Sequence, residues 1–120
     1  MPPIAETIVE TTSLDGFFKS RPELIPLITA IKIDAEGAEM SIVRGMANIF
    51  KNSTNLSLIL EYVPYLIQAS GYEPEDVLYQ LAKLGFKIKI IGVNAALTFP
   101  QIVEYSQRNP PVNLLCYTND

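Results

Sequence analysis

The sequence contains no histidine. That excludes, within these residues, an imidazole base and a histidine zinc site. A single cysteine, Cys116, rules out an internal disulfide. It sits in the apolar run 112–117 with no basic neighbour to stabilise a thiolate, so it reads as a small core residue. Gly16 is the only glycine in the first thirty residues. One glycine cannot make a backbone loop that cradles a phosphate or nucleoside. No apolar stretch approaches the ~20 residues needed to cross a bilayer. The first ten residues lack the basic region and apolar core of a signal peptide. The cytoplasm is therefore the expected compartment. Basic residues are few and scattered, with only Lys87 and Lys89 close together, and the net charge is −4. Phosphate neutralisation needs clustered cations, which argues against a nucleic-acid partner.

What is present is an ordinary globular composition, with 48% hydrophobic residues in a chain of 120. That is one domain or part of one, long enough to remove roughly two-thirds of its unfolded surface from water. Residues 4–12 alternate loosely and are rich in β-branched side chains, which predicts a strand. Ser13 can cap a short helix over 14–19 with Phe17 and Phe18 inward, and Pro22 and Pro26 stop any longer helix. Residues 27–34 form a nearly continuous apolar run with one lysine, the pattern of a strand covered on both faces. Ile42, Val43, Met46, Ile49 and Phe50 recur at helical spacing. A polar loop at 52–55 precedes a second buried strand, 56–62, that Pro64 ends. Pro74 opens a helix whose inner face is Val77, Leu78, Leu81 and Leu84, and Gly85 closes it. A strand at 86–93, a short helix at 98–105 and a last strand at 112–117 complete the chain. Strands alternating with helices predict an α/β fold with right-handed crossovers.

The chemistry concentrates in residues 31–46. There an apolar strand stops on an acidic turn carrying Asp34, Glu36 and Glu39, and a helix follows at once. Open α/β sheets bind ligands at the carboxyl ends of their strands. A carboxylate there can orient a hydroxyl or take its proton. Two or three could instead hold a hard divalent cation, with Asp34 and Glu36 as its ligands. The structural alternative is that Asp34 and Glu36 only favour the start of the following helix, the role expected of Glu39. Glu61 ends the next strand and is a third candidate. Lys32 points the same way as Asp34 and suits a salt bridge to Asp34 or Glu61. Tyr62 and Tyr65 follow at the same end and are candidates for lining a substrate pocket, or for packing.

Residues 31–46 closely resemble the strand–turn–helix signature of FkbM-type methyltransferases, which use S-adenosylmethionine to methylate hydroxyl groups. Thr11 to Asp15 resembles that family's TLD entry to a helix. Leu58 to Tyr62 resembles its next strand, ending in a glutamate, and Leu84-Gly85-Phe86 its LGY-like turn. The resemblance implies the C-terminal half of a Rossmann-like class I methyltransferase sheet, mostly parallel with an antiparallel final strand. Residues 1–120 would be a single partial domain, because nothing before Ile31 resembles the family's glycine-rich cofactor loop or the acidic strand end that holds the ribose. The implied activity is S-adenosylmethionine-dependent O-methylation of a hydroxyl on a sugar, polyketide or related metabolite. Asp34, Glu36 and Glu61 would be its catalytic residues, with Tyr62 and Tyr65 against the acceptor. The 120 residues alone would be inactive. In the implied sheet the strand at 27–34 lacks its neighbour, so the chain is expected to self-associate or to pair with a missing N-terminal half. The alternatives are a non-catalytic α/β interaction module and, more distantly, a small cation-binding protein.

Overall fold

Four strands form one mixed sheet in the order β1–β2–β4–β3 in a computed structural model of the chain, which describes residues 5–118. They are β1 (Ala30–Ile33), β2 (Ser57–Tyr62), β3 (Lys87–Ile90) and β4 (Val112–Tyr117). β1 runs parallel to β2, while β4 lies antiparallel to both β2 and β3. The helices are α1 (Leu14–Phe18), α2 (Glu39–Arg44), α3 (Ala47–Asn52), α4 (Pro64–Ala69), α5 (Pro74–Lys83) and α6 (Phe99–Arg108). None is long and apolar enough to cross a membrane.

The strands alternate inward and outward with the period of two that a pleated backbone imposes. Ile33, Leu58, Leu60, Tyr62, Ile90, Val112, Leu114 and Cys116 share one face and are buried. They meet Met40, Val43, Met46 and Ile49 from α2, α3 and the link between them, with Ile67, Val77, Leu78, Leu81 and Ile102 from α4 to α6. Burial pushes the Cys116 thiol up to about 12, which makes it an inert core group. The opposite face carries Lys32, Ile59, Glu61, Lys89, Asn113 and Leu115, none of them buried. Among the described residues, the helices thus cover one face of the sheet only.

Local chemistry explains most element ends. Ser13 accepts from the Gly16 N–H at 3.0 Å and caps α1. Thr98 and Gln101 form a reciprocal capping box at α6. Pro74 opens α5, and Gly85, at φ +100°, closes it.

Several expectations are corrected. Residues 5–12 form no strand and are exposed, with Ile8 and Val9 in solvent; Ile4 lies outside the described residues. Phe17 is largely exposed, in an edge-to-face contact with Phe18. β1 begins only at Ala30, because Pro22–Leu27 winds into a 3-10 helix. Its Ala30 and Lys32 are exposed, so β1 is not covered on both faces. The single helix expected across 42–50 is two. Asp15 explains the break: its N–H donates to the Gly45 carbonyl, and its carboxylate accepts from the N–H groups of Asn48 and Ile49 at 2.9 and 3.3 Å. A residue of α1 thereby serves as the N-terminal cap of α3. The inward stripe survives, with Val43, Met46 and Ile49 buried. Pro64 ends β2 as expected but also opens α4, since a first helical position tolerates its missing N–H.

Candidate functional site

Asp34 follows the last residue of β1, and Ile33 stands beside Leu60 of β2. Parallel register therefore sets Asp34 beside Glu61, at the same end and on the uncovered face of the sheet. The two carboxyl groups come within hydrogen-bonding reach of one another, and a bond between them requires a proton. The hydrogen bond with Asp34 holds the Glu61 carboxyl above its usual range. Partial burial and the negative charges of Asp34, Glu39 and Glu36 add to this.

The turn that carries Asp34 is fixed from below. Glu36 takes a left-handed conformation at φ +51°, and Gly37 follows at φ +101°. Gly37 lies against the carbonyl of Leu66, and a Cβ there would also come within 2.8 Å of the Ser70 hydroxyl. Glu39 is 3% exposed and folds back under the turn. Its carboxylate accepts from the Ala35 N–H at 2.7 Å and the Gly37 N–H at 2.9 Å. Glu39 is therefore a clip for the turn and does more than favour a helix end. Glu36 points into solvent and is not drawn into the Asp34–Glu61 pair by any hydrogen bond. The spacing of an acid two residues beyond a glycine turn was the available signal for the clip, but periodicity does not reveal it.

Beside the free edge of β1 lies a groove of about 600 Å³. Thr12, Ser13, Lys32, Asp34 and Ser41 line it, over an apolar floor that includes Ile31, Ile33 and Ile42. Asp34 is the member of the carboxyl pair that reaches this groove. A second opening, of about 970 Å³, lies between the uncovered face and the loop after β3. Ile59, Lys89, Leu115 and Tyr117 contribute to it, and it holds no carboxylate.

Three expectations change here. Tyr62 points to the opposite face from Glu61 and is completely buried. Its hydroxyl donates to the Pro74 carbonyl, and burial, then the charge of Glu75, raise its pKa. It is a core residue and presents nothing to a substrate. Tyr65 is exposed on α4 and lines neither opening. Lys32 is exposed and forms no ion pair among the described residues. As for a divalent cation, no group of three or more Cys, Asp or Glu side chains among the described residues is placed to hold one.

Comparison with known families agrees with this architecture. The family model described as the methyltransferase FkbM domain matches residues 2–88. That span includes the carboxyl pair, the clip and the groove, and ends within β3. No curated protein and no solved structure gives a significant match.

Proposed function

The chain belongs to the FkbM methyltransferase family, and we propose that its Asp34–Glu61 pair handles the proton of an acceptor hydroxyl in O-methylation. The acceptor would be a sugar, polyketide or related small metabolite. The observation that carries this reading is the juxtaposition of two carboxyl groups at adjacent strand ends, with Asp34 on a groove open to solvent. Glu61, whose neighbours favour its protonated form, donates to one oxygen of Asp34. The other oxygen is then free to accept from the hydroxyl and take its proton as the oxygen becomes nucleophilic. The Glu39 clip keeps Asp34 in place while this happens.

Family membership implies S-adenosylmethionine as the methyl donor. In this reading its site lies outside the described residues. The groove has one glycine, Gly45, and a Cβ there would lie 2.8 Å from the Ser13 Cβ, so its open side is filled. These residues account for the acceptor's proton and not for the donor, whose cradle would come from residues other than those described.

Two measurements test the reading. Transfer of a labelled methyl group from S-adenosylmethionine to hydroxylated acceptors, in the protein completed by a donor-binding segment, should fall ~10²–10⁴-fold in Asp34→Asn, the span typical of a lost general base. The thermal midpoint should not fall, because Asp34 is exposed. Near-normal turnover would reduce Asp34 to a neighbour of the turn. Calorimetric titration of the 120-residue chain with S-adenosylmethionine should show no binding at micromolar levels. The uncovered sheet face and free β1 edge favour a second reading, a non-catalytic interaction module on the same fold. Intact transfer activity lost in Asp34→Asn would exclude it.

A further inference from the structure

Glu61 has a second neighbour besides Asp34. In the antiparallel pairing of β2 with β4 it stands opposite Asn113. The Ile91 N–H donates to the Asn113 carbonyl at 2.9 Å. A strand residue points its N–H and C=O to the same side, so the backbone of Asn113 is engaged on the β3 side. Opposite Glu61 it therefore makes the non-hydrogen-bonded kind of antiparallel pair, with Cα atoms about 4.5 Å apart and side chains at their closest. Directly opposed residues also share a face. Asp34, Glu61 and Asn113 thus form one row across three strand ends, on the face away from the core.

The side-chain amide of Asn113 is exposed and forms no hydrogen bond among the described residues. The Glu61 carboxyl beside it reaches Asp34 instead. Strand structure does not account for this residue, since asparagine is depleted in strands and this one packs into no core. An amide both donates and accepts, as a hydroxyl does. Two carboxyl groups in the same row disfavour an anionic oxygen, so the complement of Asn113 is a neutral hydroxyl. With neighbouring strands about 4.8 Å apart, Asp34 and Asn113 are separated by roughly 9 Å. Hydroxyls on adjacent carbons fall short of that span. Oxygens on opposite sides of a six-membered ring bridge it, each met by a side chain and a hydrogen bond.

We propose that Asn113 orients the acceptor: its side-chain amide holds a second hydroxyl, across the ring from the one whose proton Asp34 takes. The proposal rests on the reading of the Asp34–Glu61 pair as the proton-handling site. Asn113 lies outside residues 2–88 that match the family model, so its role is read from the sheet alone.

Methyl transfer from S-adenosylmethionine, by the protein completed with a donor-binding segment, tests it with three probes. They are cyclohexanol and the two trans cyclohexanediols whose second hydroxyl is on the adjacent or on the opposite carbon. The wild type should prefer the opposite diol to the other two by roughly three- to tenfold in kcat/KM, the span of one neutral hydrogen bond. Asn113→Ala should lose that preference through a higher KM for the opposite diol. Asn113→Val, which suits a strand better, should behave alike and guards against misfolding of the alanine variant. Circular dichroism checks both. Equal use of the three probes by the wild type overturns the proposal, and so does a preference that survives both substitutions. An equal fall in kcat for all three probes also overturns it, because Asn113 would then act through Glu61 and not on the acceptor. In those cases, transfer lost in Asp34→Asn shows the carboxyl-pair reading still standing. A wild type that methylates none of the probes overturns both.

Discussion

Replacing Glu39 by alanine should unfold this protein far more readily than the loss of a helix-end charge would. A carboxylate that merely favours a helix N-terminus contributes about 0.3–1 kcal/mol. Glu39 does more: it is 3% exposed and accepts two backbone N–H bonds, at 2.7 and 2.9 Å, from Ala35 and Gly37. Hydrogen bonds to a charged group contribute roughly 1.5–3 kcal/mol each. The Ala35 N–H is only partly buried and regains water, so the sum is discounted to ~3 kcal/mol. Against a total stability of about 5–15 kcal/mol that is a large fraction. For a chain of this length each kcal/mol shifts the thermal midpoint by about 4 °C, giving a fall of about 12 °C. Glu39→Gln keeps one acceptor oxygen and should lose roughly half as much. Far-UV circular dichroism during heating and in urea measures both. A midpoint for Glu39→Ala within about 4 °C of the wild type would refute the reasoning. It would mean that Gly37 and the body of α2 hold the turn without the clip.

Gly37→Ala should also destabilise, by about 2 kcal/mol or more, because φ +101° strains an L side chain and its Cβ would run into the Leu66 backbone; an unchanged urea midpoint would show that the turn yields. Glu61→Gln should stabilise the protein at neutral pH. The folded-state pKa of Glu61 is raised, so its favourable contribution is complete below pH 4.5 and is lost as pH rises through the folded value. Wild type and Glu61→Gln should therefore diverge in urea midpoint above pH 4.5 and converge below it. Parallel profiles would show that the bond to Asp34 places no load on the fold.

Wherever a decision was local, the amino-acid sequence by itself made it. β4 spans the expected residues, and α5 runs from its opening proline to the expected glycine. Ser13 and Thr98 cap the helices they precede. Asp34 stands at a strand end because the apolar run stops there. Each of these follows from propensities and hydrogen bonds that reach four residues or fewer. The acidic turn was legible for the same reason, and so was the family. What depends on distant partners was not. Asp15 breaks the helix at Gly45 from thirty positions away. Glu61 is raised by a neighbour on another strand. Tyr62 is core and Glu61 is not because the pleat turns successive side chains to opposite faces, and only the packing of α4 and α5 decided which face is covered. An apolar run such as 27–34 reads the same whether its strand ends at the centre of a sheet or at its edge. Hydrogen bonds along a strand are satisfied sideways, by chains that sequence distance does not identify. Among the described residues one side of β1 is open, as the family resemblance implied and the apolar run by itself did not show.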